Sequence, residues 1–316
     1  MLLNIVFFAV GLAVLTLGAE MLVRGSSRLA LALGVRPVVV GLTVVAFGTS
    51  CPEFFVSFTS ALAKSQGIAI GNVVGSNVAN VGLVIGVSAL IRPLVTDRTT
   101  LRREVPFMVF VSCLFLWFIW DGGVSRIEGG ILFVGIILFT AGSVWMAMRG
   151  AVSPAALDGL PDGDPARTSR GANTAMSIGG LVALIGGAQL MIKGAVYIAS
   201  AYHVPELVIG LSVVAIGTSL PELAASVAAA AHGESDICLG NVIGSNIFNL
   251  LFVIGVVAMV APLSVDRATI TQQVPAMIGF GLALALFMGT GRSVSRKEGV
   301  VLLLLYAGFI AWVYVV

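Results

Sequence analysis

Long apolar runs separated by short polar breaks dominate this chain. A run of about 20 residues can cross a bilayer as a helix. Ten such spans are expected, at 3–30, 38–63, 68–91, 104–120, 127–148, 174–201, 206–231, 237–261, 271–289 and 298–315. The first has no basic residue before it and continues through Glu20 to Arg24, so it reads as a transmembrane helix and not a cleaved signal. One break is long. Residues 150–173 hold Pro154, Pro161, Pro165, several glycines and three aspartates, the composition of a flexible linker too short to fold alone. The chain therefore divides into a first five-helix unit at 1–149, a linker at 150–173 and a second five-helix unit at 174–316.

The pattern is written twice. Gly41-Leu42-Thr43-Val44-Val45-Ala46-Phe47-Gly48-Thr49-Ser50-Cys51-Pro52-Glu53 returns as Gly210-Leu211-Ser212-Val213-Val214-Ala215-Ile216-Gly217-Thr218-Ser219-Leu220-Pro221-Glu222. The repetition reaches Gly18-Ala19-Glu20, which matches Gly187-Ala188-Gln189. It also reaches Asp97-Arg98 with Val105-Pro106, matching Asp266-Arg267 with Val274-Pro275. Five spans is an odd number, so the second unit enters the membrane upside down relative to the first. The expected fold is an all-α integral membrane protein of ten transmembrane helices, built as two inverted-topology five-helix repeats.

Composition narrows the class. With 58% hydrophobic and only 10% charged residues, the chain lacks the charge to cover a soluble surface, so the lipid bilayer is its medium. It carries no basic tail or stripe, which excludes nucleic acid as a partner. The positive charge also sets an orientation. The loops after the odd-numbered spans hold Arg24, Arg28, Arg36, Arg92, Arg98, Arg102, Arg103, Arg149, Arg167, Arg170, Arg292, Arg296 and Lys297. The other side holds only Lys64, Arg126, Lys193 and Arg267. The first side is then cytoplasmic, with the linker inside and both termini outside. Cys51, Cys113 and Cys238 form no close-spaced metal pattern and read as small membrane-buried side chains. Arg24 and Lys193 sit near span ends, where snorkelling is the ordinary behaviour.

Two motifs carry chemistry. The first is Gly-Thr-Ser-x-Pro-Glu, at Gly48–Glu53 and Gly217–Glu222. Pro52 lacks an N–H and crowds the Gly48 carbonyl, so the helix should break there and free carbonyls around Ala46–Thr49. Free backbone at this depth is tolerated only beside a cavity or a ligand. Pro221 should do the same for Ala215–Thr218. Thr49 with Glu53, and Thr218 with Glu222, stand four residues apart and share a face. Carboxylate, carbonyl and hydroxyl oxygens together suit a hard cation. The second motif is Gly-Asn-Val-(Val/Ile)-Gly-Ser-Asn, at Gly71–Asn77 and Gly240–Asn246. Asn72, Ser76 and Asn80 recur every fourth residue as a polar stripe, repeated by Asn241, Ser245 and Asn249. Gly71 with Gly75, and Gly240 with Gly244, form seams for close helix approach.

Each element alone has an ordinary explanation in helix packing or backbone bonding. Two glutamates, two helix-breaking prolines and two amide–hydroxyl stripes in matching places instead mark an ion pathway. Glu128 and Glu298 read as interfacial charges, and His203 and His232 as loop residues.

These residues resemble the alpha-repeats of the sodium/calcium exchanger family, within the cation/calcium antiporter superfamily. The resemblance covers both repeats and nearly the whole chain. It implies that Glu53 and Glu222 are the central Ca²⁺ ligands, and Na⁺ ligands in the alternate state. It adds carbonyls and hydroxyls from Thr49 and Thr218. Ala46 and Ala215 carbonyls, with Ser76 and Ser245, would form flanking Na⁺ sites. Ser50, Ser219, Asn80 and Asn249 would complete the central cluster. Proton/calcium exchangers of the superfamily tend to carry a further acidic residue in the Gly-Asn segment. Neither segment has one here, which favours sodium. Some relatives, including potassium-dependent ones, have aspartate where this chain has Asn249, so potassium dependence is not expected.

The implied activity is secondary antiport of Na⁺ against Ca²⁺ by alternating access in a prokaryotic cell membrane, electrogenic if three sodium ions replace one calcium. Spans 1 and 6 are the expected moving pair. Protons should compete with both cations, because two like charges in a dry site hold protons readily. No cofactor is expected, and a monomer should suffice. The alternative is an H⁺/Ca²⁺ or other divalent cation exchanger of the same fold. A channel would need no counter-ion. An enzyme would need a nucleophile–base pair or a metal-bound water site, which the motifs lack.

Overall fold

The computed structural model describes residues 2–149, 170–202 and 215–315. The linker up to residue 169, His203 and the start of the expected span 206–231 lie outside the described residues. The chain runs α1 (Leu2–Leu33), α2 (Pro37–Thr49), α3 (Cys51–Leu62), α4 (Gln66–Ile91), β1 (Leu94–Val95), α5 (Thr100–Asp121), β2 (Gly123–Val124) and α6 (Arg126–Arg149). It continues with α7 (Arg170–Ala201), α8 (Ala215–Thr218), α9 (Leu220–His232), α10 (Ser235–Val260), β3 (Leu263–Ser264), α11 (Thr269–Gly291), β4 (Ser293–Val294) and α12 (Arg296–Val315). Among the described residues seven helices are long and apolar enough to cross a membrane, and the bent pair α2–α3 makes an eighth. α12 is also 20 residues long but opens on Arg296, Lys297 and Glu298.

The helices start and stop for local reasons. Asp97 accepts a bond from the Thr100 N–H (2.7 Å), and Asp266 accepts from the Thr269 N–H (2.9 Å) and hydroxyl (2.7 Å), so each caps a helix. Pro106 and Pro275 sit inside α5 and α11, where a helix would ordinarily kink. The backbone before each widens into a π turn, Thr100–Glu104 and Thr269–Gln273, which relieves the ring's clash. Glu128 and Glu298, read above as interfacial charges, also cap their helices. Each carboxylate accepts both the N–H and the hydroxyl of the serine three residues earlier, Ser125 or Ser295, all at 2.7 Å. His232 is the last residue of α9 and not a loop residue. Arg24 pairs with Glu20 one turn away at 3.5 Å, and the Lys193 ammonium lies 5.3 Å from the centre of the Phe7 ring. Cys51, Cys113 and Cys238 are free thiols, of which only Cys238 is buried and Cys113 is exposed on its helix.

The fold is all-α as expected, with four added strands of two residues each, too short for any alternation to reveal. β1 pairs antiparallel with β4, and β2 with β3, so each pairing joins the first half to the second. Their positions matter. β1 follows the end of α4, whereas β3 is held at the start of α4, where Gln66 donates to the Pro262 carbonyl and accepts from the Ser264 N–H (3.0 Å each). Reciprocally, the Val95 N–H of β1 donates to Ser235 at the start of α10 (3.3 Å). Sequence-equivalent strands thus lie at opposite ends of α4.

α4 and α10 form the buried centre, and α6, α1 and α7 lie outside it. Val73, Val78, Ile243, Leu250 and Ile254 are fully enclosed there. α1 and α7 run antiparallel in close contact. Gly11, Gly18 and Gly25 of α1 and Gly180, Gly187 and Gly194 of α7 stand every seven residues along this seam. A Cβ at Gly18 would lie 2.4 Å from the Leu184 nitrogen, and one at Gly187 2.4 Å from the Leu15 nitrogen. The pair touches backbone to backbone, which only glycine permits.

Candidate functional site

Each repeated motif produces a broken helix. α2 and α3 meet at Ser50 with a bend of 43°, and α8 and α9 meet at Ser219. The two serines have nearly the same backbone angles, φ −81 and ψ 3 for Ser50 and φ −88 and ψ 4 for Ser219. Pro52 and Pro221 follow in the first turn of α3 and α9, where a missing N–H costs nothing. Glu53 and Glu222 occupy that same turn, at the positive end of the helix dipole. One expectation needs correction. The Ala46 carbonyl keeps its helical partner, accepting the Ser50 N–H at 3.0 Å, because the break falls one residue beyond its reach.

Both carboxylates are completely buried. Each is tied to the opposite half of the chain. Ser219 donates its hydroxyl to Glu53 Oε1 at 3.3 Å, and Ser76 donates to the same oxygen at 3.4 Å. Ser50 donates to Glu222 Oε1 at 3.2 Å. Thr49 donates to Asn241 Oδ1 at 3.0 Å and lies 3.4 Å from Ser245 Oγ, while Thr218 donates to Asn72 Oδ1 at 3.5 Å. Of the twelve residues singled out above, the structure buries Ala46, Thr49, Ser50, Glu53, Ser76, Asn80, Thr218, Ser219, Glu222, Ser245 and Asn249 together in the centre. Ala215 opens α8, three residues before Thr218.

The amide stripes do more than the sequence reading assigned them. Asn72 donates to the Glu53 carbonyl (3.1 Å) and Ser57 (2.9 Å). Asn241 does the same with the Glu222 carbonyl (3.4 Å) and Ser226 (3.0 Å). These bonds lash α4 to α3 and α10 to α9 behind each glutamate. Asn77 and Asn246, quoted in the motif but given no role, cross-link the halves. Each donates its amide to the other's backbone carbonyl at 3.3 Å. Asn80 donates to Asn246 Oδ1, and Asn249 donates to Asn77 Oδ1, both at 3.0 Å. Their recurrence in both motif copies was the available signal. Asn80 and Asn249 each begin a π turn, Asn80–Ile85 and Asn249–Ile254, a backbone form common at functional positions.

Within this cluster, among the described residues, four buried oxygens are left without a hydrogen-bond partner: Glu53 Oε2, Glu222 Oε2, Asn80 Oδ1 and Asn249 Oδ1. They come in equivalent pairs from the two halves, and all act as acceptors. A buried acceptor without a donor costs about 1–3 kcal/mol, more when charged. The glycine seams of the second motif differ. A Cβ at Gly240 would meet the Val38 carbonyl at 2.7 Å, and one at Gly244 the Leu42 carbonyl at 2.7 Å, so α2 packs directly there. For Gly71 and Gly75 no such neighbour occurs among the described residues.

Comparison with known proteins places this arrangement. The family model described as sodium/calcium exchanger protein matches residues 3–145 and 172–315. The protein CaxA of Alkalimonas amylolytica, described as a putative antiporter, is 39% identical over 312 residues, covering 98% of each chain. The sodium/calcium exchanger MaX1 of Methanosarcina acetivorans is 34% identical over 340 residues, covering 97% of each. A solved structure of the sodium-calcium exchanger NCX_Mj, soaked with Na⁺ and Sr²⁺, superposes with a TM-score of 0.86 at 32% identity, covering 98% of both chains. The chain is a multi-pass integral membrane protein and belongs to the sodium/calcium exchanger family.

Proposed function

We propose that this protein is a secondary antiporter that exchanges Na⁺ for Ca²⁺ across the membrane by alternating access. The observation that carries the proposal is the set of four unpartnered buried acceptors, Glu53 Oε2, Glu222 Oε2, Asn80 Oδ1 and Asn249 Oδ1. Two carboxylates and two amide oxygens are the ligand chemistry of a hard divalent cation, and they balance its charge. In this reading Ca²⁺ sits between Glu53 and Glu222, with Thr49, Thr218, Ser50 and Ser219 beside it. Sodium ions occupy the same oxygens and flanking positions at the Ala46 and Ala215 carbonyls with Ser76 and Ser245. Exchange follows because the two cations exclude one another. With three Na⁺ per Ca²⁺, each cycle moves one net charge and responds to voltage by about 2.3 kcal/mol per 100 mV. Protons compete for the same carboxylates.

The architecture in this proposal is ten transmembrane helices in two inverted repeats, 1–149 and 174–316, with the linker 150–173 cytoplasmic and both termini outside. The placement of β1 and β3 at opposite ends of α4 supports the inversion. The alternation belongs to α1 and α7. Their glycine seam is two-fold symmetric, yet the pair rests unevenly on the centre. α7 lays Leu181 over Gly48 and Ile192 over Gly217, the glycines that begin the two copies of the first motif. The equivalent α1 residues, Leu12 and Val23, are not the nearest neighbours of either glycine. α1 instead packs along α9, and among the described residues α7 makes no comparable contact with α3. A slide of the pair would exchange these roles. Both half-sites come from one chain, so a monomer suffices.

The test is ⁴⁵Ca²⁺ flux into liposomes with imposed gradients. A sodium gradient should drive it, with a current. Flux driven only by a proton gradient would select the H⁺/Ca²⁺ alternative, and flux without any counter-ion would make the protein a channel.

A further inference from the structure

Asn80 and Asn249 face a problem of polarity. Each amide has one oxygen and one NH₂ of nearly the same shape, and only the oxygen can bind a cation. The structure contains a relay that decides between them. A backbone carbonyl cannot donate, so the Asn77 NH₂ must face the Asn246 carbonyl (3.3 Å). That turns Asn77 Oδ1 the other way, where it can only accept. It therefore takes the Asn249 NH₂ (3.0 Å), which leaves Asn249 Oδ1 unpartnered. The mirror relay runs from the Asn77 carbonyl through Asn246 to Asn80, with distances of 3.3 and 3.0 Å, and leaves Asn80 Oδ1 unpartnered. All four side chains are buried, so each link is made between protein groups.

We infer that Asn77 and Asn246 are positioning residues for the cation site: anchored on each other's backbone, they hold the amides of Asn249 and Asn80 oxygen-first toward the ion. The inference rests on the proposal that Asn80 and Asn249 belong to that site. It explains why an amide can serve where a carboxylate would need no orientation. An aspartate offers oxygen in either rotamer, whereas an asparagine free to flip has a second rotamer that presents NH₂ to the cation.

The experiment is a double-mutant cycle on Ca²⁺-dependent uptake, reading apparent KM and maximal rate separately in the full-length protein. Asn77→Leu keeps the shape but removes the relay. It should raise the apparent KM for Ca²⁺ about 10- to 100-fold, the usual effect of losing a group that orients a metal ligand, with maximal rate little changed. In an Asn249→Asp background the same substitution should cost no more than about twofold, the scatter of independent sites. Equal costs in both backgrounds would make Asn77 merely structural and overturn the inference. Asn246→Leu against Asn80→Asp repeats the test through the mirror relay and serves if Asn77→Leu fails to fold by size-exclusion chromatography. Glu53→Gln is run alongside. If it leaves Ca²⁺ uptake intact, the site itself is misplaced and the inference falls with it. If it abolishes uptake while the two cycles are additive, the inference alone fails.

Discussion

Replacing Glu53 by glutamine separates a charge effect from a shape effect. The substituted side chain would retain an oxygen for the Ser76 and Ser219 hydroxyls, at 3.4 and 3.3 Å in the native site, and would exchange the unpartnered Oε2 for NH₂. Two unit charges about 4 Å apart attract by about 4 kcal/mol at an effective dielectric near 20. Removing one negative charge therefore costs a divalent ion about 8 kcal/mol and a monovalent ion about 4 kcal/mol. The substitution also spares the burial of a carboxylate, worth several kcal/mol, but that gain is the same whichever ion binds. It cancels in the comparison. Ca²⁺ should lose about 4 kcal/mol more than a single Na⁺ held by the same oxygens, a shift of about 10³-fold in selectivity ion for ion. Glu53 is fully enclosed, so salt should screen little of this. The assay is equilibrium ⁴⁵Ca²⁺ binding to purified protein with Na⁺ titrated as competitor. If both ions weaken by the same factor, Glu53 is not a charge-bearing ligand and the reasoning is refuted.

Other outcomes follow from single contacts. Gly187→Ala drives a Cβ to 2.4 Å from the Leu15 nitrogen, so α1 and α7 must separate. It should cost about 1–3 kcal/mol in a thermal melt and stop transport, whereas Gly186→Ala, with no neighbour within 4 Å among the described residues, should do neither. Glu298→Ala removes the acceptor of the Ser295 N–H and hydroxyl and should lower stability by about 1 kcal/mol in denaturation while leaving the transport rate unchanged. Asp266 tests pH. Burial pushes its carboxyl up, but the bonds from Thr269 outweigh this and hold it below the usual carboxylate range. Its stabilisation is thus complete above the ordinary value and is lost as pH falls through the lowered one. Melting curves taken from about pH 5 downward should show a shallower acid decline for Asp266→Asn.

The apolar runs located most helices to within a few residues, because a membrane helix must satisfy its backbone internally and announces itself by length alone. The broken helices were legible for an equally local reason, since Pro52 and Pro221 act on their own backbone. What stayed hidden depends on contact between distant segments. Ser50 donates to Glu222 and Ser219 to Glu53, an exchange between halves that no spacing within one half encodes. The Asn77–Asn246 cross-link is of the same kind. The seam glycines Gly11, Gly18 and Gly25 were visible at regular spacing, but their partner helix was not. The Ala46 carbonyl was misjudged because the chain bends at Ser50, just after the last ordinary helical bond.

Suppose the two halves were identical in sequence. The symmetric α1–α7 pair could then rest at either end of the centre at the same free energy, and the protein would spend equal time facing each side of the membrane. Its bias must therefore reside wherever the copies disagree. At the end occupied here, Ser27 of α1 donates to Glu234 at 2.7 Å, and Arg36 pairs with Asp97. The sequence-equivalent residues are Val196 with Ser65 and Pro205 with Asp266, whose chemistry allows neither contact. In the alternating-access cycle proposed above, a preference of a few kcal/mol between the two faces needs no more than such a mismatch, which would make the resting direction a property of imperfect duplication.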